Sequence, residues 1–296
     1  MTQSATALPL ELEGAADFVD LSNLAPLPAD VLAEASTDPA DLHTHIRHLI
    51  IAEVMNDKRS LQREIGISEI GTPCTRKLVY KLGQVPECHS EGVKWRTAIG
   101  RATHTFLADM LVEDNHRLGY TRWLVENSVS PGRIGGTPLV GHSDFYDRLN
   151  RAVLDWKVRG PAGMKRARKG VPPTSRVQVH TYGLGFVMRG LPVERVHIIN
   201  LPSAGELRDA VYWSEPYDQR VAIDAMAKAN AVANQGAAIG FGPLAELAAT
   251  ADDFCTHCEW WAPGAPDPAH GRCPGSEEII AERARGRAGA KPEGLG

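Results

Sequence analysis

The chain has 296 residues, with 32 Lys and Arg against 36 Asp and Glu, a formal net charge of −4, and 43% hydrophobic residues. That composition excludes a collagenous or wholly disordered chain, and the length suits one large domain or two small ones. The best apolar run, Gly183 to Leu191, is broken by Arg189 and falls short of the roughly 18 residues a membrane span needs. No basic region followed by an apolar stretch opens the chain, and the five cysteines are too few and too uneven for a disulfide scaffold. The expectation is a soluble, intracellular protein.

In chain order, residues 1–42 are rich in Ala, Pro, Asp and Leu and read as an acidic, weakly structured arm. Leu42 to Arg63 carries a helical period, with Ile46, Leu49, Ile50, Val54 and Leu61 on one side. Ile70 to Leu82 holds Gly71-Thr72-Pro73-Cys74 and then a short helix. A second helix runs from about Lys94 to Asn115, with Ile99, Thr103, Phe106, Met110 and Leu111 as its apolar side. Three strands follow, Arg122 to Val129, Pro138 to Leu149 and Ala152 to Val158, joined by Gly-rich and Arg148-Leu149-Asn150-Arg151 turns. A basic Gly/Pro-containing loop to Pro173 leads into a helix, Thr174 to Met188. Strands at Val193 to Leu201 and Leu207 to Trp213 and a helix from Pro216 to Gln235 complete the pattern. Helices, a three-strand meander, a helix, two strands and a helix predict an α/β domain with a mixed central sheet. The domain spans 43–275, including a C-terminal segment at about 251–275, and residues 276–296 read as a flexible tail.

Charge is unevenly spread. The first 42 residues hold eight acidic side chains and no Lys or Arg, whereas Lys157 to Lys169 holds six basic ones and no acidic one. Without the arm the remainder is net positive. An acidic arm beside a basic core fits a nucleic-acid protein, and it equally fits a solvated leader and a solvated loop.

Two strands expected to be neighbours carry Gly141-His142-Ser143-Asp144 and Leu154-Asp155-Trp156-Lys157. Asp144 and Asp155 would converge at one end of the sheet, and Asp155 and Lys157, two apart, share a strand face. Paired carboxylates suit Mg²⁺ or Mn²⁺, hard cations that prefer oxygen, and an adjacent lysine stabilises charge developing at phosphorus. Asp-x-Lys alone is a common accident. Three features add to it: Gln178 and Tyr182 on one face of the following helix, His104 on the preceding helix, and Cys74 far upstream of Cys255, Cys258 and Cys273.

With those residues in place, Cys74 to Cys273 resembles the PD-(D/E)XK nuclease superfamily. It is similar to the RecB-like exonuclease branch with an iron–sulfur cluster, found in CRISPR-associated and phage exonucleases and in AddB. The resemblance implies a restriction-endonuclease-like fold whose N- and C-terminal segments are joined by the cluster. It implies metal binding by His104, Asp144 and Asp155, with Lys157 as catalytic lysine and Gln178 and Tyr182 supporting the site. Glu126 is an auxiliary acidic residue or a plain exposed strand position. Cys74-Thr75-Arg76-Lys77 resembles a Cys-Pro-Arg-Arg-like segment, with Thr75 where the family has proline.

By the same resemblance Cys74, Cys255, Cys258 and Cys273 would hold a [4Fe–4S] cluster as a staple rather than a catalyst. The fourteen residues between Cys258 and Cys273 exceed the family's usual spacing, and Cys255, Cys258, His270 and Cys273 could make a zinc site instead. Cys88 is left as an ordinary thiol. The implied activity is Mg²⁺- or Mn²⁺-dependent, sequence-tolerant DNA exonuclease action on single strands or ends, with Lys165, Arg166, Arg168 and Lys169 holding phosphates. The setting would be recombination, repair or CRISPR-type processing in a bacterial or phage-infected cytoplasm, with a recombination or CRISPR-adaptation protein as possible partner. Two other readings stand: a catalytically silent DNA-binding accessory protein of the same fold, and a zinc-dependent interaction module.

Overall fold

The computed structural model describes residues 38–55, 64–88, 95–252, 254–281 and 285. Most of the acidic arm, Leu61 of the first expected helix and most of the C-terminal tail lie outside the described residues. The chain divides into two units, Met1–Ala52 and Glu53–Gly296. The described part of the first is most of helix α1 (Pro39–Met55), which begins inside the expected arm. Asp38 opens it by accepting a hydrogen bond from the Ala40 amide at 2.8 Å.

The second unit is a five-stranded mixed sheet flanked by helices, as the element order predicts. Its strands are β1 (Trp123–Ile134), β2 (Thr137–Asp147), β3 (Ala152–Arg159), β4 (Arg195–Pro202) and β5 (Val211–Pro216), in spatial order 1-2-3-4-5. Neighbours are antiparallel except β3 and β4, which run parallel from Ala152↔Arg195 to Arg159↔Pro202. A parallel pair requires a long crossover, and residues 160–194 supply it with helices α4 (Pro161–Ala167) and α5 (Pro173–Met188) once α2 (Thr75–Leu82) and α3 (Trp95–Leu118) have preceded the sheet. Helices α6 (Gln219–Ile239) and α7 (Phe241–Leu247) follow it.

One sheet face carries the core. Tyr146, Val153, Val196 and Ile198 are buried against Val179, Tyr182 and Phe186 of α5, and the Tyr146 and Phe186 rings stack at 4.8 Å. Gly185 makes the closest approach possible: a Cβ there would stand 2.6 Å from Cβ of Val129 on β1. Elsewhere Trp123, Phe145 and Trp156 form an aromatic row, with ring centroids 5.6 and 4.9 Å apart. Trp123 Nε1 donates to Asp114 of α3 at 2.7 Å, which ties that row to the helix. Asn115 finishes the joint, since its Oδ1 accepts from the amides of Arg122 and Trp123 at 2.8 and 2.9 Å.

Three expectations are corrected. On α3, Ile99, Phe106 and Met110 are exposed, and the inward stripe is His104, Leu107, Ala108, Leu111 and Asn115. The inward side thus contains polar residues that a purely apolar pattern passes over. The basic loop contains α4, because Pro161 fixes the first helical position after Gly160 and Met164 is buried. The last strand starts at Val211, because Glu206 and Asp209 close a reciprocal cap around a 3₁₀ turn at Leu207–Asp209. At the start of the expected tail, residues 277–281 are helical, and Ser276 is buried with its carbonyl accepting from Ile280 N. Among the described residues, no helix is long and apolar enough to cross a membrane.

Candidate active site

The β2–β3 ladder runs only from Asp147↔Ala152 to Phe145↔Leu154. One residue further, Asp144 and Asp155 would be the next pair, but no pairing is made there. The Asp144 side chain replaces it, with Oδ2 accepting from the Trp156 amide at 2.6 Å. The two strands splay at that point while β3 stays paired to β4. The opening brings carboxylates from both strands to one place.

The residues expected to act together are brought together. Asp144 Oδ1 lies 3.2 Å from His104 Nδ1, presented by the inward stripe of α3. Asp155 is 2% exposed, and its Oδ2 lies 2.8 Å from Lys157 Nζ. Lys157 also donates to Gln178 Oε1 at 2.9 Å, and Gln178 Nε2 donates to the Tyr182 hydroxyl at 3.0 Å. Spacing explains each step: Asp155 and Lys157 share a strand face, and Gln178 and Tyr182 share a helix face one turn apart. Gln178 and Tyr182 are themselves buried, so the chain lysine–amide–phenol has little freedom.

The electrostatics follow from burial. Loss of water raises the pKa of Asp155 above the ordinary carboxylate range and Asp144 adds to the rise, while Lys157 and His104 oppose it. The hydrogen bond to Asp144 raises His104 above the usual imidazole value, against the effect of burial.

His104, Glu126 and Asp144 each offer one ligand atom, all within 4.8 Å of one another. One imidazole and two carboxylates form an oxygen-rich set of the kind Mg²⁺ or Mn²⁺ accepts. Asp155, expected as a ligand, pairs through Oδ2 with Lys157, and Glu126 joins His104 and Asp144 as a further donor. The sequence leaves Glu126 as either an auxiliary acidic residue or a plain exposed strand position. It lies abreast of Asp144, between the pairs Val125↔Phe145 and Asn127↔Ser143. Its φ of +48° is rare for a non-glycine residue, and the ladder makes no Glu126–Asp144 pair there. No pattern in the sequence marks such a backbone angle.

Cys74, Cys255, Cys258 and Cys273 line one cavity with Lys77 and Tyr80. Three of the four are buried, and all are free thiols. The long insert is accommodated as a loop whose stem is closed by Ala262 N to Cys273 O and Cys273 N to Trp260 O, both 2.7 Å. Cys273 Sγ accepts from Gly275 N at 3.4 Å and faces Arg76 Nη1 at 3.8 Å. Four cysteine sulfurs around one cavity are the donor set that an iron–sulfur or other thiolate-bound group takes. Burial pushes the Cys258 thiol up to about 11. His270 does not line this cavity; it is exposed and pairs with Asp267, Nδ1 to Oδ1 2.9 Å. Cys88 is exposed, with its thiol 3.4 Å from the Glu259 carbonyl. Lys165, Arg166, Arg168 and Lys169 are all exposed, at the end of α4 and just after it.

No protein-family model matches the chain, and no curated protein matches it in sequence. Among solved structures it is similar to SSO0001, at 15% identity and a TM-score of 0.43 over 72% of this chain and 95% of that one. It is similar to an alkaline exonuclease from Laribacter hongkongensis, at 10% identity and 0.41 over 68% and 97%. A phage-related exonuclease from Haemophilus somnus gives 10% and 0.40 over 62% and 96%.

Proposed function

We propose that this chain is a metal-dependent DNA nuclease of the PD-(D/E)XK type, hydrolysing phosphodiester bonds at the β2–β3 splay. One observation carries the reading: Asp144, Asp155 and Lys157 meet where the two strands part, with Gln178 and Tyr182 fixing the lysine. An ion pair serving stability alone would not need a strand ladder abandoned beside it.

His104, Glu126 and Asp144 would hold a Mg²⁺ or Mn²⁺ ion, and Asp155 stands beside them. When bound, the ion would supply Lewis-acid stabilisation of a phosphoryl oxygen and lower the pKa of water. The Lys157 side chain would donate to a non-bridging oxygen as that oxygen gains charge. Asp155 and Gln178 hold Nζ from two sides, so that the lysine need not reorganise. Lys165, Arg166, Arg168 and Lys169 would neutralise backbone phosphates without reading sequence. On this reading the action is exonucleolytic, on single strands or ends, and a [4Fe–4S] cluster on Cys74, Cys255, Cys258 and Cys273 ties α2 to the C-terminal segment.

The test uses anaerobically purified full-length protein on end-labelled single- and double-stranded DNA, with Mg²⁺ or Mn²⁺ and with chelator. Metal-dependent release of label is expected, falling by roughly 10²–10⁴-fold in Asp155→Ala and Lys157→Ala, the range for a positioned acid or base. Equal cleavage by wild type and both variants would place the activity elsewhere. Folded protein that binds DNA but never cuts it would make the chain an accessory binder. Cleavage of covalently closed circles would replace exonuclease by endonuclease.

A further inference from the structure

Beyond the splay, the C-terminal ends of β3 and β4 open onto a second cavity of about 530 Å³. Its walls include Trp95, Arg96 and Ile99 from the start of α3, Arg159 from β3, Arg166 from α4, and Ser203 just after β4. No acidic side chain is among the described residues lining it. Three guanidiniums and a tryptophan therefore surround a space far too large for a phosphate alone and within the range of small-molecule sites.

Its position matters as much as its chemistry. Asp155, Lys157 and Arg159 alternate along β3, so they share one face, and Arg159 lies about 6–7 Å beyond the lysine at the usual rise per residue. A strand of nucleic acid with its scissile phosphate at Lys157 would reach this cavity with its neighbouring nucleotide. Two of the wall arginines are held in place. Arg159 Nε donates to Asn200 Oδ1 at 2.5 Å, and Gly163 gives its stem room, since a Cβ there would stand 3.1 Å from Arg159 Cβ. The Arg166 guanidinium lies over the Phe254 ring, 4.9 Å from its centre. Among the described residues Trp95 is 52% exposed at the rim, an unusual place for so large an apolar surface.

We infer that this cavity binds one unpaired nucleotide, its base against Trp95 and its phosphate among Arg96, Arg159 and Arg166. A base stacked there cannot remain paired, so the site selects an unstacked strand. The assignment rests on the nuclease reading for its role, though binding itself does not depend on cleavage. Stacking on an aromatic ring accepts any base, which agrees with sequence-tolerant action. Arginine suits the phosphate, having a planar fork that pairs two oxygens.

The probe is 2′-deoxyadenosine 5′-monophosphate, titrated calorimetrically against the full-length protein beside inorganic phosphate and deoxyadenosine. The nucleotide is expected to bind at least about tenfold more tightly than either part, and Trp95→Ala to weaken it about tenfold, as loss of one base–aromatic stack does. Trp95 is exposed enough for this change to leave no cavity in the core. Arg166→Ala, also at the surface, is expected to weaken nucleotide and phosphate together. Equal affinity for nucleotide and phosphate would reduce the site to an anion contact and overturn the inference, as would unchanged binding in Trp95→Ala. Asp155→Asn separates the two claims. If it loses cleavage while nucleotide binding never appears, the nuclease stands and the pocket falls. Trp95-dependent binding in a protein that cuts nothing leaves the pocket and removes the nuclease.

Discussion

The charged cluster at the β2–β3 splay is drawn from one contiguous span, His104 to Tyr182, and almost every polar atom in it meets a partner inside the protein. The four-cysteine cavity joins Cys74 to residues near the other end of the described chain, and its thiols meet little. Cys273 faces two N–H groups, and Cys258 is held protonated by burial, its pKa pushed up to about 11. A thiol is a weak hydrogen-bonding group, so the side chains of this cavity contribute little cohesion of their own. One region is tied together by its own hydrogen bonds and ion pairs. The other brings four thiols to one cavity with few bonds between them, and under the proposed cluster its work would be structural.

That contrast makes opposite variants behave in opposite ways, and this is the largest effect expected. Asp155→Ala should abolish cleavage with little loss of stability, because it removes a buried carboxylate and leaves Lys157 its bond to Gln178. Cys74→Ser should do the reverse. Losing a structural metal ligand costs several kcal/mol. At about 2–4 °C per kcal/mol for a domain of this size, the midpoint should fall by roughly 10 °C, with the visible absorption of the proposed cluster lost. Residual cleavage per folded molecule should persist. Thermal melts beside single-turnover cleavage read both axes at once. If Cys74→Ser loses cleavage without loss of stability, the cysteine site is no staple.

Trp260 sharpens the comparison one step down, since it anchors the C-terminal segment without being a ligand. It is 2% exposed, packs on Tyr80 with ring centroids 5.3 Å apart, and donates from Nε1 to the carbonyls of Val85 and Pro86 at 3.1 Å. Arg76 works beside it, donating from Nε to the Ala245 carbonyl at 2.7 Å near the end of α7. Trp260→Ala should cost ~3–5 kcal/mol, the usual loss for a buried aromatic. Its cleavage rate under conditions where it is folded should stay near wild type. A variant as stable as wild type would mean that the segment is held by the metal group alone.

The sequence made the first region far more legible than the second, for a physical reason. Strand alternation and helical spacing are local rules, so Asp155 with Lys157 and Gln178 with Tyr182 announce their shared faces. The cysteines announce only their residue type. Their convergence depends on the loop stem from Trp260 to Cys273 and on the docking of α2, neither of which has a periodic signature. Even in the charged region legibility ended where the backbone left its regular path. The left-handed angle at Glu126 and the abandoned pairing at Asp144 are tertiary choices, and the inward stripe of α3 was misread because His104 and Asn115 are polar. The short α4 was missed because its basic residues mask the single buried Met164.

The smallest expected effect concerns a polar site that belongs to neither region, and it tests whether buried charge matters to stability away from both. His180 is fully buried. Its Nδ1 accepts from the Asp218 amide at 3.1 Å, so the ring must carry its proton on Nε2, which faces Glu215 Oε1 at 2.6 Å. Arg176 Nε donates to the same Glu215 oxygen at 2.6 Å and already supplies a positive charge there. A second proton would set an N–H against the Asp218 N–H and place a second cation beside Arg176. Burial accordingly lowers the His180 pKa in the fold, even though Glu215 pulls it upward. The sign follows from linkage: a lowered folded value means the unfolded state takes up the proton first. The stabilisation is therefore whole above the ordinary histidine value of about 6.5 and is lost as pH falls toward the lower folded value, by about 1.4 kcal/mol for each pH unit that separates the two values. Urea unfolding at pH 7.5 and pH 5 should show this loss in the wild-type protein and a smaller one in His180→Gln. A wild-type protein that gains stability over the same interval relative to His180→Gln would mean that Glu215 outweighs burial and the imidazole is charged in the fold.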